Sequence, residues 1–521
     1  MLTGRQHDRV PSMSSEPVAC PTAHRSPLTG RDRLILTALC LIVLLPGAFR
    51  VSLFDRDEGW YAQVSREMLA SGDWLMPRYL GEPWLAKPPL LYWCVAALYS
   101  VFGVHAWAAR LVSVLAMVGA VHLLASLAAD VYNRRAALFA GASFVTAGLP
   151  TVIGKMALTD ALLLLCCLSA IWSLWRFVGW RPGLPAPQPT VDRPLRFALL
   201  FWLSIGLGIL AKGPAILLFV GAFALGLLVM PGVRRSVFSR RLWAVSPLAA
   251  IVAAPWYVYV ARCAGDALAG QFLWYEFLSR LVSTPHGHGG PPGYFVVFSL
   301  IGWLPWTALV PGAVIEMWRG RRREAAAWLV LVWFGLPWLV LELVPSKLPH
   351  YVLPCYAPLA IMLGGAWDLG RGRPITRVQR VALGIWVALP MAVGMLLLAA
   401  GVRWHANSWA LPLGATGATL LGGFVLTAWL VRRNRLVAAW RSAVGAAVIF
   451  HVMVGLWLLP AFEPYRLSRL VAEQANALAD PHEGVLVVGY TEPSVFFYLQ
   501  PQARVGTTDD LVAAIDSGNP A

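Results

Sequence analysis

Stretches of about 20 consecutive apolar residues recur along the whole chain, and no other feature limits its fold as strongly. A helix is the one open-chain structure that satisfies its own backbone polar groups in hydrocarbon. The expectation is therefore an all-α polytopic membrane protein. With 521 residues, 58% hydrophobic and only 13% charged, the chain has room for many crossings. A β-barrel is disfavoured, because the apolar runs are continuous and do not alternate. The net charge of +16 does not point to nucleic acid. Its arginines cluster in short loops between apolar runs, where topology accounts for them. The cysteines lie mostly inside apolar runs and show no metal-ligand spacing, so neither a disulfide framework nor a zinc site is expected.

The spacing predicts spans at 34–53, 107–131, 136–153, 160–178, 195–211, 214–231, 242–262, 294–317, 325–343, 352–369, 379–400, 409–431 and 440–460. With thirteen spans, six basic loops all fall on the side of the N-terminus: Arg134-Arg135, Arg176 to Arg196, Arg234 to Arg241, Arg319 to Arg323, Arg371 to Arg380 and Arg432 to Arg435. That agreement is the positive-inside rule. The apolar stretch from Leu90 to Val104 would reverse it, but at about 15 residues it is short for a span. It reads as an interfacial or re-entrant helix. Residues 1–33 read as a disordered cytoplasmic tail, 34–460 as the membrane domain, and 461–521 as a small α/β domain outside the membrane. In that last segment LVAEQANAL and DDLVAAI read as helices, and VLVVGY and VFFYL as short strands.

Between the first two spans lies FDRDEGWYAQVSREMLASGDWLMPRYLGEPWLAKPPLLYW, residues 54–93, which carries six of the chain's 26 acidic residues. Glu58 to Ser71 reads as an amphipathic helix on the membrane surface, with Trp60, Val64 and Met68 on one face and Gln63, Arg66 and Glu67 opposite. Gly72 would end it. Asp57 and Glu58 open this helix, Tyr61 follows, and Lys87 stands in AKPP. Further along, Lys155 and Asp160 occur in GKMALTD, Lys212 in AKGP, and Lys347, His350 and Tyr351 in SKLPHYVLP. All fall on the outer face. Each has a plain alternative: a lone Asp160 at a span start usually caps a helix, and a lysine at a span end usually snorkels to head groups. The loop aromatics equally fit an interfacial belt. Four lysines on the face where positive charge is normally depleted are harder to explain that way. They suit an anionic group such as a phosphate. His286 and His288 form a His-x-His pair, a weak metal signal by itself.

Taken together, DEGWYAQVSREMLASGDWLMPRYLGEPWLAKPPLLYW, ALTD, AKGP, Pro305-Trp306 and SKLPHYVLP resemble, in order and spacing, the lipid-linked-sugar glycosyltransferases of the GT-C superfamily. The likeness is strongest to the branch of lipid A aminoarabinose transferases and protein O-mannosyltransferases, and it covers roughly residues 34 to 370. It implies a transferase that takes a sugar from a polyprenyl phosphate at the outer face of a bacterial inner membrane. It implies thirteen spans, interfacial helices in the first loop and a small periplasmic C-terminal domain. It also implies Asp57 as the main catalytic or orienting residue, Lys87 on the lipid phosphate, and Asp160 in the same cavity. Glu58, Tyr61, Lys155, Lys212, Lys347 and Tyr351 are expected to contact substrate. Two departures stand out. Ala86 occupies a position where relatives often carry Glu, which leaves a divalent cation unsupported. Lys155 stands where Arg is frequent.

The chemistry fits this reading. A departing phosphate monoester needs cations more than a general acid. Asp57 would serve as base toward a hydroxyl acceptor, or orient the sugar if the acceptor is an already ionised lipid A phosphate. The expected partners are a polyprenyl-phosphate-linked sugar, lipid A or another periplasmic acceptor, and membrane lipids. A monomer is expected. A hexosyltransferase acting on protein or glycan is the near alternative. A lipid-linked sugar flippase is the distant one; it would place charges at the bilayer midplane and show repeated, broken spans.

Overall fold

A computed structural model of the protein describes residues 27–180, 195–230, 232–265, 278–284, 287–320, 325–369, 377–479, 484–499 and 503–516. Helix dominates them. The strands among them are two short two-stranded pairs and one bridge between Gly289 and Ser346. Among the described residues eight helices are long and apolar enough to cross a membrane. The count is nine when Arg134–Val145 and Gly148–Lys155, bent by 63°, form one broken span. The chain is thus a multi-pass membrane protein.

Each predicted apolar run contains helix, but the first, 34–53, is helical only as far as Leu44, ahead of Pro46; the breaks follow the sequence. The 294–317 run divides into Tyr294–Gly302 and Val310–Gly320. Pro305 lies between the halves, where it removes a backbone donor and disfavours helix at the residue before it. The 242–262 run starts late, as Pro247–Ala264, with Pro247 in the first turn. The 214–231 run yields only Ala215–Leu228.

Two sequence expectations change. The tail predicted over 1–33 gives way to helix at Gly30, and residues 1–26 lie outside the described residues. Thr29 and Asp32 form a capping box there, and Asp32 accepts two hydrogen bonds from Arg134 at 2.6 and 2.7 Å. The carboxylate thereby ties the first helix to the loop after the second span. VFFYL, predicted as a strand, is the end of the helix Pro493–Tyr498. Pro493 sits in its first turn, a position that suits a residue without an N–H. Val495, Phe496 and Phe497 are all buried, so this short helix is covered on more than one face. VLVVGY does contribute a strand, Leu486–Val487, which pairs in parallel with Arg504–Val505.

The first loop is built as anticipated but covered differently. Its helix runs Asp57–Ser71 and ends at Gly72, whose left-handed φ of 72° a side chain would resist. A hairpin follows, pairing Arg78–Tyr79 with Glu82–Pro83. Leu80 and Gly81 form its turn at φ 53° and 84°, and their N–H groups donate to the Glu67 carboxylate at 2.9 and 3.1 Å. Leu90–Phe102 is a short helix of 13 residues, below spanning length. The polar face of Asp57–Ser71, expected to meet water, meets the C-terminal segment. Arg66 donates to the carbonyls of Phe497 and Leu499 at 2.9 and 3.0 Å, which supplies the end of that helix with donors. A Cβ built on Gly59 would lie 2.6 Å from the Ser494 nitrogen, so only glycine lets the two helices approach so closely.

Beneath this loop lies a fully buried ion pair. Arg110, in the first turns of Ala106–Val131, donates to both oxygens of Glu58 at 2.8 and 2.9 Å. It also donates to the carbonyls of Val51 and Ser52 at 2.6 and 2.8 Å. Glu58 accepts in addition from the N–H groups of Phe54 and Ala157, at 2.8 and 2.9 Å. Burial pushes the Glu58 carboxyl upward, but Arg110 and the two N–H groups outweigh it and hold the pKa below the usual carboxylate range.

Removing one member of such a pair leaves the other charged and buried, a loss of about 3–5 kcal/mol. Glu58→Gln should therefore lower the melting temperature in detergent by several degrees. Glu58→Gln with Arg110→Met should recover much of that loss. Because the folded pKa is depressed, the pair's stabilisation is complete above the ordinary carboxylate range. It is lost as pH falls through the folded value. Melting curves of the single and double variants between neutral and acid pH check both points.

Candidate active site

The ends of several helices and the first loop enclose a cavity of about 650 Å³. Its polar wall includes Asp55, Arg56, Asp57, Glu58, Lys87, Asp160, Lys212, Arg280, His288, His350 and Tyr351. Trp60, Tyr61 and Trp84 form an aromatic side, and Leu149, Val152, Ile153, Met156 and Leu348 an apolar one. Seven of the nine residues singled out from sequence line this cavity: Asp57, Glu58, Tyr61, Lys87, Asp160, Lys212 and Tyr351. Lys155 and Lys347 are not among its lining residues. Lys155 donates to the Pro46 carbonyl at 2.9 Å, and Lys347 to the Gly290 carbonyl at 3.0 Å. Lys347 is buried, and its own N–H donates to the His288 carbonyl at 2.7 Å. It thereby ties the segment that carries His288. His286 lies outside the described residues.

The acidic groups fall into distinct environments. Glu58 is committed to Arg110. Asp160, in the first turn of Thr159–Val178, forms an ion pair with Lys212 at 2.6 Å. The helix starts after Leu158 without a side-chain cap, so the capping alternative for Asp160 fails. Lys212 Nζ also lies 5.2 Å from the centroid of the Tyr351 ring. The imidazole of His350 stands 4.0 Å from the second Asp160 oxygen. Burial pushes the His350 pKa down against the pull of that carboxylate. The ring is therefore mostly neutral near pH 7. Among the described residues no basic side chain lies within ion-pair distance of Asp57, which faces the cavity from the first turn of its helix.

Basic groups line the same cavity as Asp57. Lys87 precedes Pro88-Pro89, which fix the backbone ahead of Leu90–Phe102, and its Nζ donates to the Ala86 carbonyl at 2.9 Å. Arg280 donates to the Tyr351 hydroxyl at 2.7 Å. Trp60 and Trp84 stand with ring centroids 5.3 Å apart, and Trp84 and Tyr79 5.4 Å apart. Such faces suit the C–H side of a sugar ring. Three residues were missed as site candidates. Arg110 was absorbed into an apolar run, although an arginine inside a span is itself a signal. Arg280 sat in a loop with little pattern. His350 was noted beside Lys347 but given no role, and only the fold brings it to Asp160. Among the described residues no three His, Cys, Asp or Glu side chains converge as metal ligands.

The segment that presents Asp57 is conformationally unusual. Arg56 adopts φ 65° and ψ −118°, a region that costs a residue with a side chain about 1–3 kcal/mol. Asp55 on one side accepts hydrogen bonds from the hydroxyls of Ser468, at 2.8 Å, and Ser494. Glu58 on the other side is held by Arg110.

Known proteins resemble this chain in sequence and in fold. Residues 86–259 match the family model described as dolichyl-phosphate-mannose-protein mannosyltransferase. The chain is 31% identical over 479 residues to the undecaprenyl phosphate-alpha-4-amino-4-deoxy-L-arabinose arabinosyl transferase of Edwardsiella ictaluri, covering 90% of this chain and 78% of that protein. It is 28% identical to the protein of the same name from an Enterobacter species, covering 91% and 78%. Its fold matches the crystal structure of ArnT from Cupriavidus metallidurans bound to undecaprenyl phosphate, with a TM-score of 0.75 at 22% identity, over 93% of this chain and 87% of that one. A more distant match in fold is the oligosaccharyltransferase of Archaeoglobus fulgidus, with a TM-score of 0.53 at 12% identity over 91% and 64%. The chain belongs to the undecaprenyl phosphate-aminoarabinose arabinosyl transferases, a branch of the GT-C glycosyltransferases.

Proposed function

We propose that the protein transfers 4-amino-4-deoxy-L-arabinose from an undecaprenyl phosphate carrier to a phosphate of lipid A, at the periplasmic face of the inner membrane. The observation that carries the reading is that Asp57, Lys87 and Arg280 line one cavity together with aromatic and apolar side chains. The names of the relatives supply the sugar and the carrier. The apolar wall suits the first isoprene units, and the aromatic wall the sugar.

The chemistry follows from charge. As the glycosidic bond breaks, negative charge grows on the carrier phosphate, and Lys87 with Arg280 stabilises it more in the transition state than in the ground state. The anomeric centre gains positive charge at the same moment, and the Asp57 carboxylate opposes it. A sugar ammonium is a second partner for Asp57, which would fix which face of the ring meets the acceptor. An ionised acceptor phosphate attacks without a base. Asp160 and Lys212 neutralise each other, so their part is to hold the Tyr351 and His350 side of the cavity. Lys155 and Lys347 shape the walls through backbone carbonyls. The same residues would serve a hexose donor, and the family model's own description names mannose. A hexose addition in place of a pentosamine would select that reading.

The membrane arrangement we infer has thirteen spans, with broken pairs counted once, over residues 34–460. Residues 461–521 rest on the first loop outside the membrane. Reporter fusions after Trp74 and after Pro460 should both report a periplasmic position; a cytoplasmic signal at Pro460 alone would exclude an odd number of spans.

Mass spectrometry of lipid A from cells with and without the gene should differ by a pentosamine on phosphate. In purified protein, Asp57→Asn should reduce transfer at least a thousandfold while leaving the melting temperature within about a degree, because an exposed-face residue contributes little stability. Lys87→Gln should slow transfer and weaken donor binding to a similar degree for long- and short-chain donors, since the lost contact is to the phosphate. Lys87→Arg should recover part of it. Near-normal kinetics in Lys87→Gln would return that lysine to a head-group role.

A further inference from the structure

The geometry points to Asp55 as a positioning residue, latched by the serines of the C-terminal segment, that keeps Arg56 in its left-handed backbone and so aims Asp57 into the cavity. The inference rests on the function proposed above and extends it to a segment, 463–499, whose sequence offered no chemistry.

Contacts from the C-terminal segment reach each of residues 52–55. Ser52 N–H donates to Glu463 at 3.1 Å, and Arg466 donates to the Ser52 carbonyl at 2.7 Å. Leu53 N–H donates to the Tyr498 hydroxyl at 2.8 Å. The Arg466 guanidinium lies 4.0 Å from the centroid of Phe54. At the end of this run the Asp55 carboxylate accepts from Ser468 and Ser494. Ser468 is itself fixed by the Tyr490 hydroxyl at 3.0 Å. Both serines are buried.

The next residue explains why such a clamp exists. Arg56 at φ 65° is in a region that L side chains avoid and glycine enters freely. A conformation of that kind persists only where its surroundings fix it from both sides. Glu58, tied to Arg110, fixes one side. Asp55, tied to the serines, fixes the other. Without the second anchor the Arg56 peptide can relax, and the helix start that carries Asp57 turns with it. Asp55 needs only an accepting oxygen for this task, whereas Asp57 needs its charge.

That contrast sets the experiment, made on the full-length protein in detergent with undecaprenyl phosphate-linked aminoarabinose and lipid A. Asp55→Asn should stay within about threefold of wild type, and Asp55→Ala and Ser468→Ala with Ser494→Ala should each lose at least tenfold in kcat with donor KM nearly unchanged. In an Arg56→Gly background, where the backbone needs no anchor, the same serine pair should cost less than about threefold. Loss in Asp55→Asn as deep as in Asp57→Asn would make Asp55 a catalytic acid and overturn the latch. An equal loss from the serine pair in both backgrounds, accompanied by a lower melting temperature, would reduce it to ordinary stability. Amide exchange over Phe54–Trp60 needs no substrate. It should quicken at least tenfold in Asp55→Ala; unchanged exchange overturns the latch whatever the enzyme transfers. A wild-type protein that transfers no aminoarabinose would overturn the functional reading, and the exchange data would still judge the latch.

Discussion

Every part of the outer face leans on the Glu58–Arg110 pair. The arginine enters from a membrane helix and uses its guanidinium on the Glu58 carboxylate and on the carbonyls of Val51 and Ser52. One side chain thus joins the end of the first span, the start of the loop helix and the second long helix. Glu58 completes the joint through the N–H of Ala157, at the bend before Asp160. Two charges that deep would be costly apart. Together, with all their hydrogen-bonding positions used, they form a rigid floor for the cavity. Neighbouring Asp57, one residue away, is thereby free of structural duty.

The rest of the cavity follows the same division between charges that cancel and charges that act. Asp160 and Lys212 cancel at 2.6 Å, and the neutral His350 beside them adds polarity without charge. In a cavity with an apolar wall each remaining ion exerts a stronger field than it would in water. Pairing Asp160 with Lys212 and Glu58 with Arg110 keeps those charges from adding to that field. In the proposed reaction Asp57, with Lys87 and Arg280 lining the same cavity, would match a bond whose two ends acquire opposite charge as it breaks.

Much of this was legible in the sequence, and what was not has a physical cause. The spans were visible because hydrocarbon demands long apolar runs, and the loop helix because Val64 and Met68 recur on one face. Asp57, Lys87, Asp160, Lys212 and Tyr351 could be grouped because topology places them on one side of the bilayer. Distances between loops have no such signature. Lys155 and Lys347 look like Lys87 in sequence, yet neither is among the residues that line the cavity. Arg110 was hidden by the very averaging that finds spans. VFFYL has strand-forming residues, but Pro493 and the burial of its aromatics against the loop helix decide for helix.

The covering of the loop helix by the C-terminal segment resolves a conflict in the sequence. A helix with Gln63, Arg66 and Glu67 opposite Val64 and Met68 should lie on a bilayer with its polar face in water. A surface-bound helix of that kind can roll and shift, which suits membrane binding and ill suits the presentation of a reactive carboxylate. Here each polar residue is given a fixed partner. Arg66 takes the carbonyls of Phe497 and Leu499, Glu67 takes the N–H groups of the hairpin turn, and Gln63 donates to Glu67 at 2.7 Å. Gly59 removes the one side chain that would hold the covering helix away. The polar face thus becomes an interface within the protein, and the membrane is left as a boundary against which the site is oriented rather than the surface that holds it.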